Sequence, residues 1–260
     1  MLRLILARLL RMALTILAIA TAVFFATRLS GEAIDFIVGP GIAREDREAL
    51  IVYYGLDGSI WTQYLRYLTA ALQGEFGLSF LERRPVAQIV AERLWPSAQL
   101  LLSAIALTAL VAIPLGLGAA LLRKSWVGSA LMGAAFLGYA IPNFVLATLM
   151  VLVFAYWLNW LPVVGNGTAA HFIMPTIALS AYLIAGLARF TRNAMLDVLS
   201  QDYMRTARAK GLTEGQAIRR HALRNAMIPV LTILGLQFSF LLAGAIIIEN
   251  VFFLPGLGRL

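Results

Sequence analysis

Four long stretches of this chain contain no Asp, Glu, Lys or Arg, and they limit the folds that it can adopt. They cover Met12–Thr27, Leu94–Leu122, Ser125–Ala188 and Asn225–Ile248, with 16, 29, 64 and 24 residues in that order. A helix needs roughly 20 apolar residues to cross a bilayer. The longest stretch has room for two crossings, because the turn residues of Asn159–Pro175 divide it.

The stretches predict a polytopic, all-α membrane protein. Its five spans are expected at about 9–29, 98–122, 129–158, 174–190 and 228–248. Helices are expected because each satisfies its own backbone hydrogen bonds in lipid. The chain is 61% hydrophobic and 13% charged, whereas soluble domains have about 45–50% and about 25%. This composition argues against a soluble enzyme and a disordered chain, and the absence of cysteine argues against a disulfide scaffold.

The first span is interpreted as a retained helix, because Ala26-Thr27-Arg28-Leu29 is a poor signal-peptide cleavage site. Lys and Arg concentrate in cytoplasmic loops. With the N-terminus inside, the inner segments contain 13 basic and three acidic residues, and the outer segments contain eight basic and ten acidic residues. The distribution therefore predicts a cytoplasmic N-terminus.

Residues 31–96 form an outer polar insertion within one transmembrane domain spanning 1–260. Short helices are predicted at Arg44–Tyr54, Trp61–Leu72 and Val86–Leu94, with glycine-containing turns between them. Aromatic side chains suited to the lipid headgroup layer are Trp61, Tyr64, Tyr67 and Trp95. Two interpretations remain open: a cap at the membrane interface, and a docking surface for an external partner.

A second polar block, within residues 192–226, is the more informative one. Gln201–Lys210 is rich in helix-forming residues, and Gly211 follows where a left-handed cap would lie. Thr213–Gln216 has the spacing of a capping box for a second helix that would run toward Pro229. Seven basic residues from Arg192 to Arg224 require the block to lie at the cytoplasmic surface.

Three interpretations of this block compete. Its basic residues would attract anionic lipid. Nucleic acid is disfavoured, because the block has no interleaved aromatic residues and no known nucleic-acid-binding motif. A knob that fits a cytoplasmic protein is favoured, because Ala207, Ala209 and Gly211 are small enough to let another backbone come close.

The run Asp202–Leu212 resembles the EAA loop of ABC importer permeases. In that loop a triplet related to Glu-Ala-Ala stands shortly before a glycine, and an Ile-x-Leu-Pro-like end follows. The matching residues here are Arg205-Thr206-Ala207, Gly211 and Met227-Ile228-Pro229. The Arg-Thr-Ala form, together with His221–Ala226, is similar to the dipeptide, oligopeptide and nickel branch of the family.

Other segments resemble the first-type subunit of that branch, in the same order along the chain. They are Gly74–Ser79, Arg84-Pro85-Val86, Glu92-Arg93-Leu94, Ile141–Phe144, Glu249–Phe252 and Pro255–Leu260. The resemblance implies the type I ABC importer permease fold, in which six transmembrane helices are expected. Because this chain stops at Leu260, an extended reading frame is expected to restore a sixth apolar run of about 20 residues.

The chemistry of ATP is expected on other chains. No Gly-x-x-x-x-Gly-Lys-Ser/Thr loop is present, and His171 and His221 lie in different loops, so no metal site is expected. The resemblance implies a non-enzymatic subunit of a bacterial inner-membrane importer that binds no cofactor itself. Its implied partners are a second permease subunit, two cytoplasmic ATP-binding subunits, an extracytoplasmic solute-binding protein and membrane lipid, with no nucleic acid.

The resemblance also implies which residues transmit movement from the ATPases. The coupling residues are Arg205, Thr206, Ala207, Arg208, Ala209, Lys210 and Gly211. The three basic side chains are expected to pair with acidic residues on the ATPases. For Gly211 the alternative is a simple helix stop.

Polar groups and prolines at membrane depth are the candidates for the pore or gate. These are Pro142, Asn143, Gln237 and Glu249. Thr108 and Pro114 also lie within a predicted span. Polar groups in lipid face protein or a cavity. For Asn143, Gln237 and Thr108, the alternative to a pore role is therefore a hydrogen bond between helices. For Glu249, the alternative to a gate role is an ordinary charge at the membrane interface. The glycines at 116, 118, 128, 133 and 138 are expected to serve helix packing.

Two other functions remain open. A secondary transporter or channel is disfavoured, because no acidic residue lies inside the five spans. A membrane scaffold that recruits a cytoplasmic protein would also need the basic block. The substrate is left open among dipeptides, oligopeptides, nickel complexes and similar small solutes.

Overall fold

The computed structural model describes residues 2–29, 51, 57–79, 82 and 84–260. The chain forms two compact units, Met1–Ile89 and Val90–Leu260. The helices in the described residues are α1 Leu2–Leu29, α2 Ile60–Leu72, α3 Val86–Leu121, α4 Trp126–Ala140, α5 Asn143–Trp157, α6 Ala170–Leu199, α7 Asp202–Ala209 and α8 Glu214–Val251. The predicted helix Arg44–Tyr54 lies outside the described residues, apart from Ile51.

In the first unit, aromatic side chains join α1 to α2. Phe24 is buried, and the rings of Tyr64 and Tyr67 each lie 5.3 Å from its ring. The hydroxyl groups of Thr21 and Tyr64 are 2.6 Å apart. Helix α2 confirms the predicted helix Trp61–Leu72, and two of its aromatic residues pack against the first span.

Helix α3 unites two elements that were predicted separately. The short helix Val86–Leu94 and the span 98–122 form one helix of 36 residues that contains Pro96 and Pro114. At 1.5 Å per residue, it is about 54 Å long. The hydrocarbon core is about 30 Å thick, so α3 extends beyond it. The predicted gap between the two helices, around Pro96, was wrong, because membrane helices tolerate the loss of the hydrogen bond that proline removes.

The predicted span 129–158 is broken. Helices α4 and α5 meet at an angle of 93°. Ile141 between them is extended, with φ −98° and ψ 122°, and Pro142 starts the next helix. The break follows from proline chemistry, since Pro142 has no N–H to donate and keeps the preceding residue out of the helical region. Four described helices are long and apolar enough to cross a membrane, and α4 with α5 adds a fifth only if the bent pair forms one span.

Helices α6 and α8 are longer than predicted. The turn expected over Asn159–Pro175 ends before Ala170, and Pro175 lies inside α6, where its missing N–H removes one bond near the helix start. Helix α8 runs without interruption from Glu214 through Pro229 to Val251. The second helix predicted in the basic block and the last span are therefore one helix, with a π-helical segment at Ile218–Ala222.

Small residues allow the membrane helices to approach closely. A Cβ atom on Gly116 would overlap the carbonyl oxygen of Ala188, and one on Gly138 would lie 2.9 Å from the carbonyl oxygen of Ala181. The packing prediction is confirmed at these two glycines, whereas a Cβ atom on Gly128 would overlap the backbone of Leu122 in the turn before α4, and nothing lies within 4 Å of the position at Gly133. Helix α6 is thus held against both α3 and α4.

Candidate functional site

Helix α7 is a short surface helix held between α6 and α8. It spans Asp202–Ala209, and Gly211 after it has a φ of +86°. The Thr213 hydroxyl accepts from the Gln216 backbone N–H, and the Gln216 side chain accepts from the Thr213 N–H. The predicted sequence of helix, left-handed glycine and capping box is therefore confirmed. These local signals stop α7 and start α8 within a few residues.

One face of α7 is fixed to the rest of the second unit. Met204 and Ala207 are buried in a cluster of small and apolar side chains. The other buried members are Ala120, Met195, Ala217, Ala222 and Ala226. Since these come from α3, α6 and α8, α7 packs against the ends of three long helices.

The opposite face of α7 is exposed, although Ala207 is not part of it. Arg205, Thr206, Arg208 and Ala209 are exposed, as is Lys210 after the helix. Among the predicted coupling residues, only Ala207 faces inward. Its small side chain fits α7 against the cluster instead of presenting a surface to a partner.

Two of the predicted partner-binding arginines already have acidic neighbours within the chain. Arg208 donates to Glu214 from Nε at 2.8 Å and from Nη2 at 3.0 Å, across the Gly211 turn. These bonds raise the pKa of Arg208 above its ordinary value. Arg205 lies 3.4 Å from Asp202. Lys210 has no ion pair with another residue in the part of the chain that the structure describes. Arg208 therefore fixes the turn, which the sequence did not reveal.

We expect Arg208→Glu to reduce uptake by the importer that the sequence resembles by a few-fold, because it places one carboxylate on each side of the turn. Exposed ion pairs contribute little to stability, so the chain should still insert. Adding Glu214→Arg should restore only part of the activity, because it places a positive charge at the first turn of α8, where the helix dipole disfavours it. Uptake by the assembled transporter measures this.

The matched control for this pair is Arg220→Glu, which reverses an exposed charge outside the turn. It should leave uptake unchanged. Equal uptake by Arg208→Glu and the unaltered chain would contradict the role assigned to the ion pair.

Two of the predicted pore residues, Gln237 and Asn143, lie beside the seam between α6 and α8. The Gln237 amide is close to Gly186, and the Asn143 amide is close to Gly244. The Gln237 Oε1 atom is buried without a hydrogen-bond partner among the described residues. A buried amide oxygen is costly to leave unpaired, so a ligand or a further protein surface at this seam would satisfy it. Pro142 lies at the break beside Asn143.

Glu249, the predicted gate residue, is buried and holds the last segment of the chain. Its Oε1 accepts from the Ser97 hydroxyl at 2.5 Å, and its Oε2 accepts from the Gly258 N–H at 2.7 Å. Ser97 in turn accepts from the Leu257 N–H at 2.8 Å. The carboxylate is therefore fully engaged within the chain. The gating role stays a prediction, and Ser97 is a residue that the sequence did not reveal.

Thr108 is buried, and its hydroxyl donates to the Ala104 carbonyl of the same helix at 2.7 Å. Pro114 lies inside α3.

Known proteins resemble this chain in sequence and fold. The family of binding-protein-dependent transport system inner membrane components matches residues 112–260. The glutathione transport system permease proteins of Salmonella paratyphi A and Escherichia coli are each 42% identical over 261 residues, covering 100% of this chain and 85% of theirs. A solved amino acid ABC transporter, 20% identical, has a TM-score of 0.50 over 66% of this chain and 75% of its own, and it supports the fold alone.

These similarities confirm the predicted all-α permease fold and the prediction that the chain is not an enzyme. The family match covers α4 to α8 and the last part of α3, and the full-length relatives extend the similarity to the first unit. The chain belongs to the family of binding-protein-dependent transport system inner membrane components, as a multi-pass permease subunit of an ABC importer.

Proposed function

We propose that this chain forms half of the membrane pathway of an importer for peptide-like solutes, and that α7 couples the pathway to cytoplasmic ATPase subunits. The observation that supports coupling most strongly is the two-sided character of α7. Met204 and Ala207 fix its inner face, while its outer face carries exposed basic residues. The exposed face is available to another protein, whereas the fixed face transmits movement inward.

The proposed mechanism is a rigid-body movement. ATP binding closes the two ATPase subunits, which carry α7 with them. Because α7 packs with the ends of α3, α6 and α8, the three helices move as a group and expose the pathway to the opposite side. Such alternating access requires no chemistry on the permease itself. ATP is used by the partner subunits, and this chain holds no cofactor.

The proposed contacts on α7 divide by position. The residues that face the ATPase are Arg205, Thr206, Ala209 and Lys210. Gly211 has no side chain and lets the backbone of the ATPase come close to the turn. Ala207 and Arg208 keep α7 and its turn in shape. This division rests on exposure and on the ion pair with Glu214.

The proposed pathway runs along the α6–α8 seam. Gln237 and Asn143 supply polar groups at membrane depth, and the Gln237 oxygen is unpaired. A peptide-like solute has amide N–H groups that can donate to such an oxygen. Pro142 shapes the break beside the seam, and Glu249 holds the segment at the end of α8. A second permease subunit would supply the other half.

The proposed substrate is a small peptide such as glutathione, because both relatives named above are glutathione transport permeases. An extracytoplasmic binding protein would deliver it to the outer face, and the excess of Lys and Arg in the inner segments supports a cytoplasmic N-terminus. A nickel complex remains the alternative cargo.

Reconstitution of the chain with its co-purifying subunits tests this proposal. In proteoliposomes, uptake of radiolabelled glutathione or a dipeptide should require ATP and the loaded binding protein, and nickel should not compete. An ATPase subunit that binds but does not hydrolyse ATP is the control. Uptake that follows a proton gradient without ATP would favour a secondary transporter, and absence of any uptake would favour the scaffold.

A further inference from the structure

A cavity with three arginines lies between α4 and α6, outside the coupling and pathway residues. Its volume is about 420 Å³. Arg123, Arg189 and Arg192 line it together with Ser129 and Tyr139. The lining contains no Asp or Glu. Three like charges that share one cavity repel each other unless an anion occupies it.

At least one of these arginines lacks a hydrogen-bond acceptor among the described residues. Arg189 and Arg192 are three residues apart on α6 and therefore share a helix face. The guanidinium of Arg189 lies 5.3 Å from the ring of Tyr139, which holds it in place. The Nε atom of Arg192 is buried and has no hydrogen-bond partner among the described residues. A phosphate group matches this need, because guanidinium groups bind phosphate with paired hydrogen bonds.

The position of the cavity indicates the source of the phosphate. Arg123 stands just before the charge-free stretch Ser125–Ala188, and Arg189 stands just after it. The guanidinium groups therefore lie where apolar chain gives way to polar chain, which is the level of the lipid headgroups. They are on the membrane face that carries α7, because α6 continues from Arg192 toward that helix.

The remaining wall of the cavity suits an acyl chain. Met132, Ala135 and Phe136 line it, and Phe136 is 61% exposed on the surface of α4. We propose that this cavity binds the phosphate group of an anionic phospholipid, with its acyl chain along Met132 and Phe136. Basic pockets between membrane helices are suited to such headgroups. The bound lipid would join α4 to the end of α6 that leads to α7.

Lipid retention by the full chain, purified with its co-purifying subunits, tests this site. The complex is exchanged into an equimolar mixture of phosphatidylcholine and phosphatidylglycerol, purified again, and its bound lipids are measured by mass spectrometry. We expect R189Q/R192Q to retain phosphatidylglycerol at least about tenfold less well than the unaltered chain. The matched control is R219Q/R220Q, which removes two exposed charges outside the cavity and should retain the lipid normally.

Two further arms separate the possible outcomes. R189K/R192K keeps the charge but loses the paired geometry, and it should retain an intermediate amount of phosphatidylglycerol. If R189Q/R192Q does not assemble, R192Q alone decides by the same criterion. Equal retention by the variant and the control would overturn the proposal. Displacement of the lipid by an equimolar amount of glycerol 1-phosphate or of glutathione would overturn the lipid as its natural ligand.

Discussion

Gly256→Ala is expected to destabilise the second unit, although it adds only one methyl group. A Cβ atom at Gly256 would overlap the carboxylate of Glu249, a side chain that is 1% exposed. The carboxylate has no room to move, because Ser97 and Gly258 hold both of its oxygens. Overpacking of this kind costs about 1–3 kcal/mol. The measurement is the temperature at which the purified chain loses its monodisperse form in detergent, which should fall.

Gly235→Ala is the matched control, because nothing lies within 4 Å of the position that its methyl group would take. It lies in α8, where alanine is a better helix former than glycine by about 0.8–1.0 kcal/mol, so it should not lower the transition temperature. A second test combines Gly256→Ala with Glu249→Ala. Each change alone should destabilise the chain, and the pair should cost less than their sum, because the overlap disappears. Strict additivity, or a stable Gly256→Ala chain, would contradict the role assigned to Glu249.

The features that could be predicted from sequence are those with a local cause. Gly211 and the capping pair Thr213 and Gln216 each act within a few residues, so the turn after α7 was predicted correctly. The spans could be located because lipid requires long apolar stretches. The predicted ends were less accurate at Pro96, Pro175 and Pro229, since proline inside a membrane helix gives no local indication whether the helix continues.

The features that could not be predicted depend on distant contacts. Ser97 and Glu249 are 152 residues apart, and no periodicity connects them. The inward face of Ala207 follows from the packing of α7 against α6 and α8, whereas its sequence neighbours are exposed. The span 129–158 was predicted as one helix, whereas α4 and α5 meet at 93° beside Pro142.

In the coupling region, the structure of this chain shows that Arg205, Thr206 and Lys210 are exposed. The surface that these residues contact would belong to another chain. Substitutions at Gly211 can address both questions, because this glycine has a φ of +86° and nothing lies within 4 Å of the position of an added Cβ atom. Backbone strain and added bulk can therefore be varied separately there.

Gly211→Arg is expected to abolish most ATP-driven uptake while the chain still inserts. The arginine would project from the turn into the space of the proposed ATPase contact, and we expect a loss of at least about tenfold, equivalent to ~1.4 kcal/mol of docking free energy. Gly211→Asn tests strain alone, since asparagine tolerates a left-handed backbone, and it should retain most uptake.

Gly215→Arg puts the same side chain four positions away, inside α8, where space is also open. It should be milder, because it leaves the turn unobstructed. The membrane level of the chain, the co-purification of the ATPase subunits and uptake are measured together. Full co-purification and uptake by Gly211→Arg would show that this turn does not face the ATPase. Loss of membrane insertion would instead assign Gly211 a role in folding.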